Sequence, residues 1–189
     1  DLLTPLTVGV VALVEGTVTG QGRIAWDGQS ARSTGTFSTR GASLAAPFGP
    51  VRGLSTTVHF TDLLGLVSAP AQVAEIDLIQ AGVDVQDGRV LYHLRPDNHV
   101  AIETGRWPFA GGVLTLEPTV LDFSRPSEKR LTFRVDGLDA ARFVQAMEFG
   151  NIAATGTFDG AVPMIFDQNG GRVVGGRLVA RPGGGTLAY

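Results

Sequence analysis

The chain of 189 residues has no cysteine. That removes disulfide frameworks, thiolate zinc sites, iron–sulfur clusters and cysteine nucleophiles together. It also lacks a basic surplus: 15 Lys and Arg stand against 18 Asp and Glu, a formal net charge of −3. The cationic footprint of a phosphate-backbone binder is missing, so no nucleic-acid partner is expected. Aromatic residues make up only 7%, few for stacking on sugar rings. Long apolar runs are missing as well. The longest near the start, Leu6 to Val14, is interrupted by Thr7 and Gly9 and falls short of the ~20 residues of a membrane span. No basic leader marks it as a secretory signal. The sequence opens on Asp1 and stops in the strand-like run ending at Tyr189; both ends are read as cuts within a longer protein.

What is present is a glycine-rich β pattern. Hydrophobic residues reach 43%, charged ones 17%, and mean hydropathy is +0.17, enough to fill a core and unlike a disordered chain. Glycine numbers 26 of 189, without the three-residue period of collagen. Alternation dominates: Val18, Gly20, Gly22, Ile24 and Trp26 share one face against Thr17, Thr19, Gln21 and Arg23. Val90, Tyr92 and Leu94 alternate likewise, as do Val100 with Ile102 and Leu131 with Phe133 and Val135. Period two with one wet face indicates antiparallel sheet. Asp27-Gly28, Asp87-Gly88, Asp159-Gly160, Pro96-Asp97-Asn98 and Asn169-Gly170-Gly171 are the expected reversals. Some twelve to fifteen strands are expected. One stretch breaks the period. Asp139 to Phe149, closed by Gly150, predicts a helix with Asp139 as its cap, a left-handed glycine stop, and Phe143, Val144 and Met147 on one face. Thr61 to Val67 reads as one helical turn or a loop. Thr34-Gly35-Thr36-Phe37 recurs as Thr155-Gly156-Thr157-Phe158, which suggests repeated strand pairs around 30–60 and 152–189 within a single β-rich domain, 1–189.

Little of this carries catalytic chemistry. Gly20-Gln21-Gly22-Arg23-Ile24-Ala25 matches a degenerate dinucleotide fingerprint, but a turn follows where a helix is required. Among His59, His93 and His99, only a three-residue loop at Pro96–Asn98 sets His93 and His99 side by side, with Glu103 as the nearest third ligand. Asp84 with Asp87, or Asp122 with Glu117, are carboxylate pairs for a carbohydrate-active enzyme on a β scaffold. No metal, no cofactor and no enzyme activity is expected. The apolar faces say more. Leu114, Leu116, Leu121, Phe123, Leu131, Phe133, Phe158, Ile165 and Phe166 can fill the closed core of a structural or partner-docking domain. They can equally line an open groove for acyl chains, with Leu114, Leu116, Leu121, Phe123, Leu131, Phe133, Phe158 and Phe166 as the groove candidates.

Several blocks bear on that choice. Trp107-Pro108-Phe109-Ala110-Gly111-Gly112 running to Glu117-Pro118 resembles an "aromatic, Pro, x, Ala-Gly-Gly, strand, Pro" element of the YdbH-like family. Gly156 to Pro163, Gly176-Arg177-Leu178 and Arg181 to Tyr189 resemble that family's carboxy-terminal signature. Gly49 to Leu54 and Ala81 to Gly88 fall in the expected order, so the similarity spans about residues 30 to 189. The family is similar to AsmA-type bridge proteins of Gram-negative envelopes. The resemblance implies a periplasmic body anchored in the inner membrane by a helix absent from this chain. It implies an antiparallel sheet, strongly twisted and curled, whose hydrophobic groove conducts phospholipid by its acyl chains. A small outer-membrane lipoprotein is the implied partner. An older label, dicarboxylate transport, attaches to such sequences, yet no cationic cluster here selects a dicarboxylate. The fold expected is therefore all-β with an apolar groove and one short helix.

Overall fold

The computed structural model describes residues 12–46, 49–81, 83–148, 150–167 and 170–188. Sixteen strands and one helix follow in order: β1 Ala12–Glu15, β2 Val18–Trp26, β3 Ala31–Ala46, β4 Gly49–Asp62, β5 Val67–Ser68, β6 Gln72–Gln80, β7 Asp84–Arg95, β8 His99–Phe109, β9 Gly112–Leu116, β10 Thr119–Asp122, β11 Lys129–Asp139, α1 Ala140–Ala146, β12 Ala153–Ala154, β13 Thr157–Asp167, β14 Gly170–Val173, β15 Arg177–Ala180 and β16 Leu187–Ala188. Fourteen strands form one sheet, and β12 pairs with β16 in a second, two-stranded one. All pairings among the described residues are antiparallel.

The large sheet is an up-and-down meander in which several rungs are broken into two segments lying end to end. β1 and β2 both pair with β3, β5 and β6 with β4, β9 and β10 with β8, and β14 and β15 with β13. These breaks account for the strand number exceeding the expected range. Glu117-Pro118 makes one of them, since proline has no amide to give the ladder. Among the described residues the only other sheet is the β12–β16 pair, which meets this one at the end where α1 lies. The sandwich that apolar alternation also permits is not formed by them.

Two expected turns lie inside strands. Asp87-Gly88 falls within β7 and Asp159-Gly160 within β13. Asp87 adopts φ 54 as a kink in a continuing strand. Gly88 leaves room for Trp107, because a Cβ there would collide with the indole around Nε1. Asp159 is held by the Gly137 amide at 2.7 Å and by Arg181, and a Cβ on Gly160 would strike the Arg177 carbonyl opposite. The Asp27-Gly28 reversal does form, and so does Pro96-Asp97-Asn98, with Asp97 and Asn98 at φ 60 and 57. At Asn169-Gly170-Gly171 the chain reverses from β13 to β14 with Gly170 at φ 109; Asn169 lies outside the described residues. Leu63 to Leu66 form a turn.

The helix starts as expected, with the Asp139 carboxylate accepting from the Arg142 amide at 2.9 Å. It is shorter than read. Met147 is its C-cap, and the left-handed residue is Glu148, φ 55, not Gly150; Phe149 lies outside the described residues. Of the two Thr-Gly-Thr-Phe copies, 34–37 sits inside β3, while 155–158 bridges β12 and β13 with Gly156 at φ 104.

Burial is shallow. Twelve hydrophobic residues are buried among those described, four of them alanines, and no large side chain falls below 2% exposure. Ala74, Val90, Trp107 and Leu116 form the central cluster, with Leu54, Ile76, Tyr92, Ile102, Leu114, Leu131 and Phe133 packed on it.

Candidate functional site

Residues paired across adjacent antiparallel strands project to the same side, so the register sorts the two faces. One transverse row runs Thr56, Ala74, Val90, Gly105, Leu116, Phe133, Val162 across seven rungs, about 29 Å at ~4.8 Å per strand. The next row on that side runs Trp107, Leu114, Val135, Gly160, Leu178. Both are apolar throughout, Thr56 aside. One residue away, on the opposite side, the row reads Ser55, Glu75, Arg89, Arg106, Thr115, Arg134, Ala161, Arg177. The sheet is therefore two-sided: hydrocarbon on one face, four guanidiniums and a carboxylate in the corresponding row of the other.

Trp107 is the centre of the apolar face, 4% exposed. Its indole lies over Gly88 and Gly105, two backbone positions where no side chain fits, and leans on Phe133 at 6.4 Å between ring centroids. Its Nε1 is buried without a partner. Tyr92 closes the next rung, its hydroxyl 2.9 Å from that of Thr56; burial raises the phenol pKa against that bond.

Of the residues expected to line a groove, Leu114, Leu116, Leu131, Phe133, Phe158 and Phe166 share this face by register. Leu121 joins them through its pairing with Val100, two residues from Ile102 of the core. Phe123 follows β10 with the Lys129 ammonium 5.6 Å from its ring. Ile165 does not join them: its pairing with Arg130 puts it on the opposite face.

The histidines do not assemble a metal site. The loop is the three-residue one, pairing Arg95 with His99, but His93 bonds Glu103 at 2.9 Å while His99 faces Asp122 at 3.8 Å. No metal-ligand cluster occurs among the described residues. The Ala71 amide and His93 hold the Glu103 carboxyl below its usual range. Glu117 pairs with Arg134 at 3.2 Å, and Asp122 with Arg125 and Ser124, so each carboxylate is engaged in its own local contact.

A cleft of about 390 Å³ opens at one end of the apolar face. Leu138 and Phe158, a cross-strand pair, line it together with Phe143 and Val144 of α1 and with Leu178 and Leu187. The helix is pinned there by Phe143 meeting Phe109 edge-on, centroids 6.1 Å apart, and by the Ala140 amide donating to the Gly156 carbonyl. The chain end folds back to form another wall, with Ala154 paired to Leu187 and the Thr155 and Thr186 hydroxyls 2.7 Å apart. Sequence reasoning picked out Phe143 and Val144 as a helical face but missed Leu138, Leu178 and Leu187 as its partners. Trp107 entered only as part of a motif; Gly88 and Gly105 were the signals, and only the register connects them to it.

The YdbH-like family profile, described as "Intermembrane phospholipid transport protein YdbH", matches residues 1–189. This chain belongs to the YdbH-like family. No curated protein and no solved structure matches it. In this YdbH-like chain no helix among the described residues is long and apolar enough to cross a membrane.

Proposed function

We propose that this chain is one β-rich domain of a periplasmic, inner-membrane-anchored lipid-transfer bridge, and that phospholipid acyl chains travel along its apolar face. The carrying observation is the two-sided sheet: from Ala74 to Val162 the row is apolar across six rungs, and among the described residues no other sheet pairs or packs along that row. Membership of a phospholipid-transport family supports this and favours transport over catalysis. A lipid tail in water exposes ~0.8 kcal/mol per methylene. A continuous apolar strip removes most of that penalty along the path, and the row from Ala74 to Val162 carries no charged residue to hold the tail in place. Leu114, Leu116, Leu121, Phe123, Leu131, Phe133, Phe158 and Phe166 are the contact residues, in a sheet that curls to form a groove. A small outer-membrane lipoprotein is the partner at the far end, as the family resemblance implies.

Phe133→Asp tests it. Phe133 is only half-buried, so a carboxylate there stays hydrated if the face is open; in a sealed core it would cost several kcal/mol. The expected result is a melting temperature near the parent's and loss of co-purifying phospholipid in native mass spectrometry. Unchanged lipid retention in the folded variant overturns the role of this face, and global unfolding points to a closed docking module.

A further inference from the structure

The cleft beneath α1 is continuous with the apolar face. Leu178 on its side belongs to the same transverse row as Trp107, through Leu114, Val135 and Gly160. Among the described residues no charged side chain lines it. The one polar side chain among them that does, Thr186, already has its hydroxyl engaged by Thr155. A ligand finds nothing there to satisfy a polar group, so the part it inserts is hydrocarbon. The volume of about 390 Å³ lies in the lower part of the range for small-molecule sites. At its edge Leu178 and Leu187 remain 46% and 76% exposed, large apolar side chains that the described residues leave partly uncovered.

We propose that this cleft is a docking site for the methyl end of one acyl chain of a glycerophospholipid, where α1 and the β12–β16 pair cover the end of the apolar face. The site rests on the transport reading and adds to it a place where a tail comes to rest. The headgroup stays outside, since no charged group lies within to receive it.

The probe is a phosphatidylglycerol carrying a diazirine at the end of one acyl chain, offered to the full chain from vesicles of phosphatidylethanolamine. After photolysis, adducts are mapped by peptide mass spectrometry. Adducts are expected at Phe143, Val144, Leu178 or Leu187, as well as along Leu116 and Phe133. Ala154→Phe, which fills the cleft from β12, is expected to reduce the cleft adducts about ten-fold, the factor that losing roughly two buried methylenes produces, and to spare those at Phe133. Leu187→Ser provides a second variant at a largely exposed side chain, with a several-fold reduction expected and the fold intact. Adducts confined to Leu116 and Phe133 overturn the cleft site while leaving the transport reading standing. Cleft adducts insensitive to both variants also overturn it, because the tail then lies elsewhere. Absence of adducts on the whole apolar face removes the transport reading, and the cleft site with it.

Discussion

Trp107 is buried in this thin sheet because Gly88 and Gly105 leave it space. The indole fills the room their side chains would need: a Cβ added to Gly105 would lie only 2.6 Å from the ring. Gly88→Ala should therefore push the ring out of the central cluster, at a cost of about 1–3 kcal/mol from overpacking. Gly150→Ala is the matched control, because a Cβ there meets nothing within 4 Å and the backbone is not in the left-handed region. Thermal unfolding of the two variants should differ clearly, with Trp fluorescence shifted only in the first. Carboxylates set a second residue-scale expectation. Asp159 is held below its ordinary pKa by Arg181 and the Gly137 amide, Asp62 by the Ser33 hydroxyl and the Gly65 amide, and Asp122 by the Ser124 hydroxyl and amide. A folded-state pKa below the unfolded one means that the stabilisation is complete above the ordinary carboxylate range. It disappears as pH falls through the lowered values. The melting temperature should thus hold from about pH 5 upward and fall below about pH 4. Asp159→Asn should lower it at neutral pH and make the acid fall shallower. A variant with the parent's full acid dependence would remove Asp159 from the account.

At the scale of elements, α1 depends on local capping. Seven residues are too few for a helix to persist on propensity alone, so its first turn relies on the Asp139 carboxylate at the Arg142 amide and on Phe143 against Phe109. Asp139→Ala should cost about 1 kcal/mol and speed hydrogen exchange over residues 140–146, whereas Asp139→Asn keeps an acceptor and most of the protection. Equal exchange in both variants would show that packing alone holds the helix. This element was legible in the sequence because a cap and a change of period coincide there. The hairpins at Asp27-Gly28 and Pro96–Asn98 were legible for the same kind of reason, since turn residues interrupt alternation. Asp87-Gly88 and Asp159-Gly160 misled because the same residue types serve a different purpose inside strands. There Asp87 tolerates a kink, and the glycines clear space for a ring or a neighbouring carbonyl. Nothing local distinguishes those uses; the strand on the other side decides. Ile165 shows the limit again, since an apolar residue between Met164 and Phe166 can belong to either face until the register with Arg130 is known.

For the whole molecule, the sheet's two-sidedness extends to its first rung, and there, among the described residues, its edge is open. β2 pairs only with β3 among the described residues, and every one of its nine residues is exposed. Val18, Ile24 and Trp26 lie 58%, 61% and 72% exposed on the side that carries Phe37. The strand has no proline and a single charge, Arg23, so it lacks the devices that ordinarily discourage strand addition. The other edges are shorter: among the described residues β14 and β15 pair only with β13 and have four residues each, and β16, Leu187–Ala188, pairs only with β12 and has two. Self-association should therefore proceed through β2, and sedimentation velocity should show a concentration-dependent dimer or larger species. Two routes are open to such contacts. Backbone pairing along the β2 edge should be suppressed by Thr19→Lys with Gln21→Lys, which place charges along that edge on the side away from Trp26. Hydrophobic contact between apolar faces should instead be suppressed by Trp26→Ser. The open edge predicts that the lysine pair disperses the assembly and that Trp26→Ser only weakens it. Dispersal by Trp26→Ser alone would assign the contact to the apolar face, and a strictly monomeric parent would mean that the β2 edge is protected in solution.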